Sequence, residues 1–338
     1  SLPADAEDLV LSGDEDLGDE WDLEEQLEED DLEIDESAVS SVTDEWVRIS
    51  SLPADHIAAG SFETAFQLLS RQIGVCKFDV LKERFMDVYQ ANKMAVSGHE
   101  SLPSVPVYIT RGPDNVLPYI PGFDQLQDRL NEAFAQVKSN QLELAVDSFR
   151  SILQTTATIA VENEQDDAQV HKVIETCKNY IIAFSIELKR RSLPSDDVKR
   201  NIELAAYFTK PRLRNAHAIL ALRTAIVQAS NAKNYSLASH FASEYLKLDS
   251  SSATAEKMRK NKSRWDSAKT MDAVDINFDT VAEFDIDPIS LSPIYGNQPS
   301  VVEPLTGAKY HASNNGEVCA ITGFTQVGAS ASGLRLRA

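Results

Sequence analysis

From Asp124 to Trp265 apolar residues recur every three or four positions with few interruptions, and this constrains the fold more than any other feature of the chain. A period near 3.6 places apolar side chains on one helical face. The pattern predicts helices over Asp124–Ser139, Leu142–Thr155, Asp167–Arg190, Val198–Phe208, Ala216–Ala229, Tyr235–Leu248 and Ala253–Trp265. The breaks carry turn signals such as Arg191-Ser192-Leu193-Pro194 and Lys210-Pro211. Upstream, Pro53-Ala54-Asp55 opens a further helical pattern through Ile57, Phe62, Ala65, Phe66, Leu68 and Leu69, which Gly74 can end. A second upstream segment, Phe78 to Tyr89, loses its pattern by Gly98.

Several predicted helices set a small residue within a bulky face. Phe62, Ala65 and Leu69 form one set, Leu142, Ala145 and Phe149 repeat its spacing, and Tyr235, Ala238 and Phe241 echo it. Small residues facing large ones let antiparallel helices approach and interlock. The character is that of a tetratricopeptide (TPR)-like stack, but the three alanines lie 80 and 93 residues apart, so no 34-residue period holds. The expected fold is mainly α: an irregular TPR-like helical solenoid over 51–270, displaying surface to another protein.

Residues 101–122 break this regime. Pro103, Pro106, Pro113, Pro118 and Pro121 exclude a continuous helix. Val105, Val107, Tyr108 and Ile109 predict one extended arm, and Val116, Leu117, Tyr119 and Ile120 another. Arg111-Gly112-Pro113-Asp114-Asn115 between them is rich in turn formers. The reading is an inserted or projecting β-hairpin over 105–120. An isolated two-stranded hairpin is marginal in water, so it must pack on the body or on a partner.

Charge is unevenly distributed. The 338 residues carry 53 Asp or Glu against 32 Lys or Arg, yet residues 1–45 hold 20 of the acids and no base. The remainder is nearly neutral, which argues against autonomous binding of nucleic acid or of an anionic membrane. Like charges with little apolar area predict a largely disordered acidic leader over 1–50. Trp21 and Leu23 interrupt the acids, so the leader reads either as a solubilising linker or as a docking peptide with these two residues as anchors. The glycine-centred spacing of a calcium loop is absent from Asp14–Asp19. No run of 18 apolar residues predicts a membrane span, and the acidic start does not read as a secretory signal. Cys76, Cys177 and Cys319 are widely spaced, which suggests a reducing compartment.

Beyond Asp275 helical periodicity stops, and short apolar stretches alternate with turn signals at Gly296-Asn297, Thr306-Gly307 and Asn315-Gly316. A small β-rich C-terminal module over 271–338 is expected. His311 and Cys319 are poor zinc candidates without a second close pair. No phosphate loop, nucleophile elbow or HExxH helix occurs. His171, His217 and His240 read as surface or core residues and Cys177 as a buried hydrophobe. Lys77 beside Cys76 would lower that thiol's pKa, but no base accompanies it. An interaction module is expected rather than an enzyme, with no cofactor or metal; an enzyme lacking familiar motifs and a non-coat interaction scaffold are the alternatives.

The order of parts, together with Gly18-Asp19-Glu20-Trp21-Asp22, Ala59-Gly60-Ser61-Phe62, Gln72-Ile73-Gly74-Val75, Pro304-Leu305-Thr306-Gly307 and Gly333-Leu334-Arg335-Leu336-Arg337, resembles the carboxy-terminal region of coatomer alpha subunits of the COPI vesicle coat, with a fungal flavour at the end. The resemblance implies a structural role in retrograde Golgi-to-ER and intra-Golgi transport. It also implies peripheral association with Golgi membranes and COPI-coated vesicles from the cytoplasm, other coat subunits as neighbours, and a TPR-containing epsilon subunit that curls around a projecting hairpin. The partner-binding residues are then Val105, Val107, Tyr108, Ile109, Val116, Leu117, Tyr119 and Ile120, with Arg111, Asp114 and Asn115 crossing at the tip. Several members of the family carry extra cysteines in this last module; Glu303, before Pro304-Leu305-Thr306-Gly307, departs from that pattern, which puts a family metal site in doubt for this chain.

Overall fold

The computed structural model describes residues 50–96, 105–108, 122–268 and 272–337. Among them are ten α-helices. Three come first: α1 (Pro53–Ala59), α2 (Phe62–Ile73) and, after a 3-10 turn, α3 (Lys82–Asn92). A short ribbon follows, β1 (Lys93–Val96) with β2 (Val105–Tyr108). Then come α4 (Phe123–Lys138), α5 (Leu142–Thr156), α6 (Glu164–Arg191), α7 (Val198–Tyr207), α8 (Asn215–Asn231), α9 (Tyr235–Leu248) and α10 (Ala253–Ser267). The chain closes with β3 (Phe284–Ile286), β4 (Pro293–Tyr295), β5 (Ser300–Val302) and β6 (Lys309–His311), in two antiparallel pairs, β3–β4 and β5–β6.

From α4 onward each helix packs on the next in sequence, as a solenoid requires. The ends of these helices are chemically marked. Asn163 caps α6, its Oδ1 accepting the Asp166 N–H at 2.8 Å. Glu164, Asp166 and Asp167 lie in the first turn and Lys189, Arg190 and Arg191 in the last, each complementing the helix dipole. Asp197 and Ser252 cap α7 and α10 in the same way as Asn163. The 28 residues of α6 bury Val170, Val173, Ile174, Cys177, Tyr180, Ile181 and Phe184 along one stripe.

One expectation is corrected at the start. The apolar pattern from Ile57 to Leu69 is two helices, because Gly60 adopts φ 84° and its N–H closes α1 onto His56 and Ile57. Gly74 ends α2 as expected, at φ 67°. A β-carbon there would lie 2.7 Å from that of Ala329, so the turn needs glycine for close approach as well as for its backbone.

The small members of these sets lie in the core: Ala65, Ala145 and Ala238 have no exposed surface, nor has Phe149, while Phe62 and Tyr235 are partly buried. One apolar cluster runs from α1 to Ala221 of α8 and takes in Ile286, Leu305, Tyr310, Cys319, Ile321 and Phe324 of the last segment. A second joins α7–α10, with Val274, Ile276 and Phe278 packed nearby. The last segment is also bound through backbone. Gln326 donates to the Gly74 carbonyl at 2.8 Å, Cys76 to Phe324 at 2.9 Å and Val161 to Leu336 at 2.8 Å. Arg150 reaches the carbonyls of Ile321 and Ala320, and Arg200 those of Ser290 and Leu291. Strands here are only three residues long, so this segment relies on helical neighbours for its apolar burial and much of its bonding.

Candidate functional site: a two-stranded ribbon on a helical stack

The ribbon lies between α3 and α4. Lys93 pairs with Tyr108, Met94 with Val107, Ala95 with Pro106 and Val96 with Val105, in antiparallel register. Neither strand has a third neighbour among the described residues. Pro106 is tolerated because a two-stranded ribbon consists only of edges. This pairing differs from the hairpin expected over 105–120, in which the 105–109 arm faces 116–120: Val105–Tyr108 pairs back to Lys93–Val96, which continues directly from α3 where the sequence pattern shows only a fading helix, and the expected second arm lies outside the described residues. Lys-Met-Ala-Val carries no alternation that would separate a strand from the end of a helix, so this arm is not legible in the pattern. At its base Lys93 Nζ sits 5.7 Å from the centre of the Tyr89 ring. Of the predicted contact residues, Val105, Val107 and Tyr108 lie in β2. Ile109, Arg111, Asp114, Asn115, Val116, Leu117, Tyr119 and Ile120 lie outside the described residues, as do Trp21 and Leu23.

Within the stack, α4, α5 and α6 meet in an aromatic cluster. The Phe149 ring lies 5.6 Å from Phe134 and 5.1 Å from Tyr180. The Tyr180 hydroxyl bonds His217 Nδ1 at 2.7 Å and accepts the Arg214 N–H at 3.1 Å, tying the start of α8 to α6. Arg214 lies over the Phe134 ring at 3.5 Å. Burial, with the Arg214 charge adding to it, holds the His217 pKa below the usual histidine value. Such a group binds protons more readily in the unfolded chain, so its contribution is complete above about pH 6.5 and is lost as pH falls through the lowered folded value. His240 is shifted the same way, again chiefly by burial. The urea midpoint should therefore fall between pH 7.5 and pH 5, and His217→Gln should flatten part of that slope. An unaltered slope in the variant would remove His217 from the explanation.

The other reactive side chains are engaged in structure. Cys177 is fully buried and its thiol is pushed far up by burial. Cys76 is raised as well, because partial burial of the sulfur outweighs its backbone bond and the neighbouring Lys77, contrary to the expectation from Lys77 alone. His311 bonds Ser292 at 3.0 Å, while Cys319 meets the Tyr310 hydroxyl at 3.1 Å. Glu303 has no exposed surface. One carboxylate oxygen accepts the Leu305 N–H at 2.9 Å and the Thr325 hydroxyl at 2.7 Å. The other accepts the Thr306 N–H at 2.7 Å and the Thr306 hydroxyl at 2.5 Å. Four donors saturate this carboxylate, which makes it a staple between two loops. Among the described residues no three His, Cys, Asp or Glu side chains gather as a metal site, and no helix is long and apolar enough to cross a membrane.

The chain is similar in sequence, along most of its length, to several known proteins. The chain is 39% identical over 334 residues to the coatomer subunit alpha of Saccharomyces cerevisiae, covering 95% of this chain and 28% of that protein. It is 33% identical over 340 residues to a putative coatomer subunit alpha of Schizosaccharomyces pombe, covering 97% and 28%. Against coatomer subunit alpha-2 of Oryza sativa it is 34% identical over 297 residues, covering 86% and 24%. The chain thus spans about a quarter of the length of these relatives. The family model for the C-terminus of the Coatomer (COPI) alpha subunit matches residues 4–338. This ribbon-bearing helical stack, matched along nearly its whole length, belongs to the family formed by the carboxy-terminal regions of COPI alpha subunits.

Proposed function

We propose that this chain is the region of a COPI coat alpha subunit that docks the TPR-containing epsilon subunit, with the ribbon as the inserted element. It acts as a structural coat component in retrograde Golgi-to-ER and intra-Golgi transport, not as an enzyme. It associates peripherally with Golgi membranes and COPI-coated vesicles from the cytosolic side, through the assembled coat and its other subunits. One observation carries the reading: β1 and β2 pair only with each other, leaving both outer strand edges without a neighbour among the described residues. Insertion into a curved helical partner would cover the ribbon faces and satisfy edge backbone groups. Val105, Val107, Tyr108, Ile109, Val116, Leu117, Tyr119 and Ile120 supply the apolar anchors, and Arg111, Asp114 and Asn115 cross at the tip.

The test is co-purification with the epsilon subunit, comparing the native chain with a variant in which 93–121 is replaced by a short Gly-Ser linker. The linker variant should retain its helical unfolding transition and lose the partner. Tyr108→Ala alone should weaken binding about thirtyfold, the effect of one anchor of about 2 kcal/mol. A folded linker variant with undiminished affinity would sink the assignment.

A further inference from the structure

A groove of mixed apolar and basic character lies on the side of the stack formed by α6, α8 and α10. One part, about 500 Å³, lies between the end of α6 and α8, over Val137, Leu142, Phe184 and Phe208. The other, about 310 Å³, lies between α8 and α10, beside Ile226, Met258 and Trp265. The two share Arg223 and Val227, so α8 forms a low ridge between them.

On that ridge Leu220 and Val227 remain 54% and 52% exposed, although α8 buries Ala221, Leu222, Ala225, Ile226 and Ala229 against its neighbours. Positions 220, 223, 224 and 227 fall on one helical face. Leu220 and Val227 are two turns apart, about 10.5 Å along the axis. An apolar pair held at that spacing matches one face of another helix.

The charge of the lining is lopsided. Arg190, Arg191, Arg223 and Lys257 face Glu187 as the one acid lining either part. Glu187 is already engaged: its carboxylate accepts from Arg190 at 2.8 Å and from Arg191 at 2.7 Å. Burial alone would raise its pKa, but these guanidinium bonds prevail and keep it ionised. Arg223 and Lys257 form no ion pair among the described residues, and both are exposed. On α10, Lys260 and Arg264 are exposed as well, alongside the exposed acids Glu256 and Asp266 of the same helix. The lining therefore carries four Arg or Lys against one engaged acid, on a body whose charge is close to neutral.

We propose that this groove docks an acidic amphipathic helix from a partner protein. Its apolar side chains would rest on Leu220 and Val227, and its carboxylates would face Arg223 and Lys257. The apolar floor distinguishes such a ligand from nucleic acid, which would need phosphate contacts throughout. The hollows on either side of the α8 ridge, which side chains of a docked helix would fill, distinguish it from a bilayer surface. This site is separate from the ribbon, and its test does not depend on the epsilon subunit.

The probe is a fluorescein-labelled 18-residue helical peptide, leucine on one face and glutamate on the other, with a lysine counterpart of identical apolar face. Anisotropy titrations of the whole chain should show the glutamate peptide binding and the lysine peptide not, with affinity falling as salt rises. Arg223→Glu should weaken the glutamate peptide about tenfold or more, and Val227→Ser severalfold. Lys172→Glu, an exposed change on α6 away from the groove lining, should leave it unaltered. Both groove changes are on exposed side chains, and an unchanged unfolding midpoint confirms folding. Equal binding of the two peptides, or an Arg223→Glu variant with native affinity, would overturn the proposal. So would co-sedimentation with phosphatidylserine vesicles without any peptide binding, which would make the surface membrane-facing.

Discussion

Replacing Phe149 by alanine should lower the unfolding free energy by about 3–5 kcal/mol, the largest single-residue loss expected in the helical stack. Phe149 has no exposed surface and touches the rings of Phe134, Tyr180 and Phe184, which belong to α4 and α6. Truncation would remove the buried ring area and leave a cavity at a three-helix junction, where rigid neighbours on all sides limit collapse. For a chain of this size the thermal midpoint should drop by roughly 10 °C. Leu144, on the same helix but 51% exposed, provides the comparison: Leu144→Ala should stay within about 0.5 kcal/mol. Urea unfolding of both variants checks this, and equal losses would mean that the aromatic cluster does not hold the three helices together.

Glu303→Ala should cost about 3 kcal/mol or more and should act locally before it acts globally. The carboxylate takes four donors from the 305–306 turn and from Thr325. Without it those donors face a buried space vacated by the side chain, and water must enter to satisfy them. The same loops enclose Cys319, which is 1% exposed and lies against Tyr310. In native conditions a thiol reagent should therefore modify Cys76 in the parent chain and Cys319 in addition in the variant. Glu317, exposed in the same segment, supplies the control, since Glu317→Ala should leave Cys319 protected. If Cys319 stays protected and the stability is unchanged in Glu303→Ala, the staple has no energetic role.

Much of the helical body is legible in the sequence because its elements are long and periodic. The predicted bounds of α9 coincide with the observed helix, and those of α5 differ by one residue at its end. Gly60 is harder to read. The apolar positions on either side of it continue a helical phase, so the sequence pattern does not register the positive φ that divides α1 from α2. The strand at Lys93–Val96 is invisible for a related reason, since a four-residue arm with one alanine and one lysine has too little pattern to outweigh the helix preceding it. Pairing with β2 makes it a strand, and pairing is a long-range event.

The groove on α8 shows a different limit. Leu220 and Val227 belong to the same apolar-rich stretch as Leu222 and Ile226, and α8 is apolar around much of its circumference. Periodicity shows that such a helix has apolar faces, but not which of them a neighbour covers. In the same way, no local pattern around Glu303 shows its burial, although four donors and the absence of exposed surface make it a core residue.

The sequence by itself determined the helical class of the body, the turn-rich change beyond Asp275, the proline interruption near 105 and the family resemblance. These rest on local preferences, period and short motifs, which act over a few residues. Only the tertiary structure decided that β2 pairs backwards to Lys93–Val96, that the last segment shares its core with the helices, and that one basic, partly apolar side of the stack is left open. Those outcomes depend on which surfaces meet across long stretches of chain, where burial area and hydrogen-bond completion outweigh any local preference.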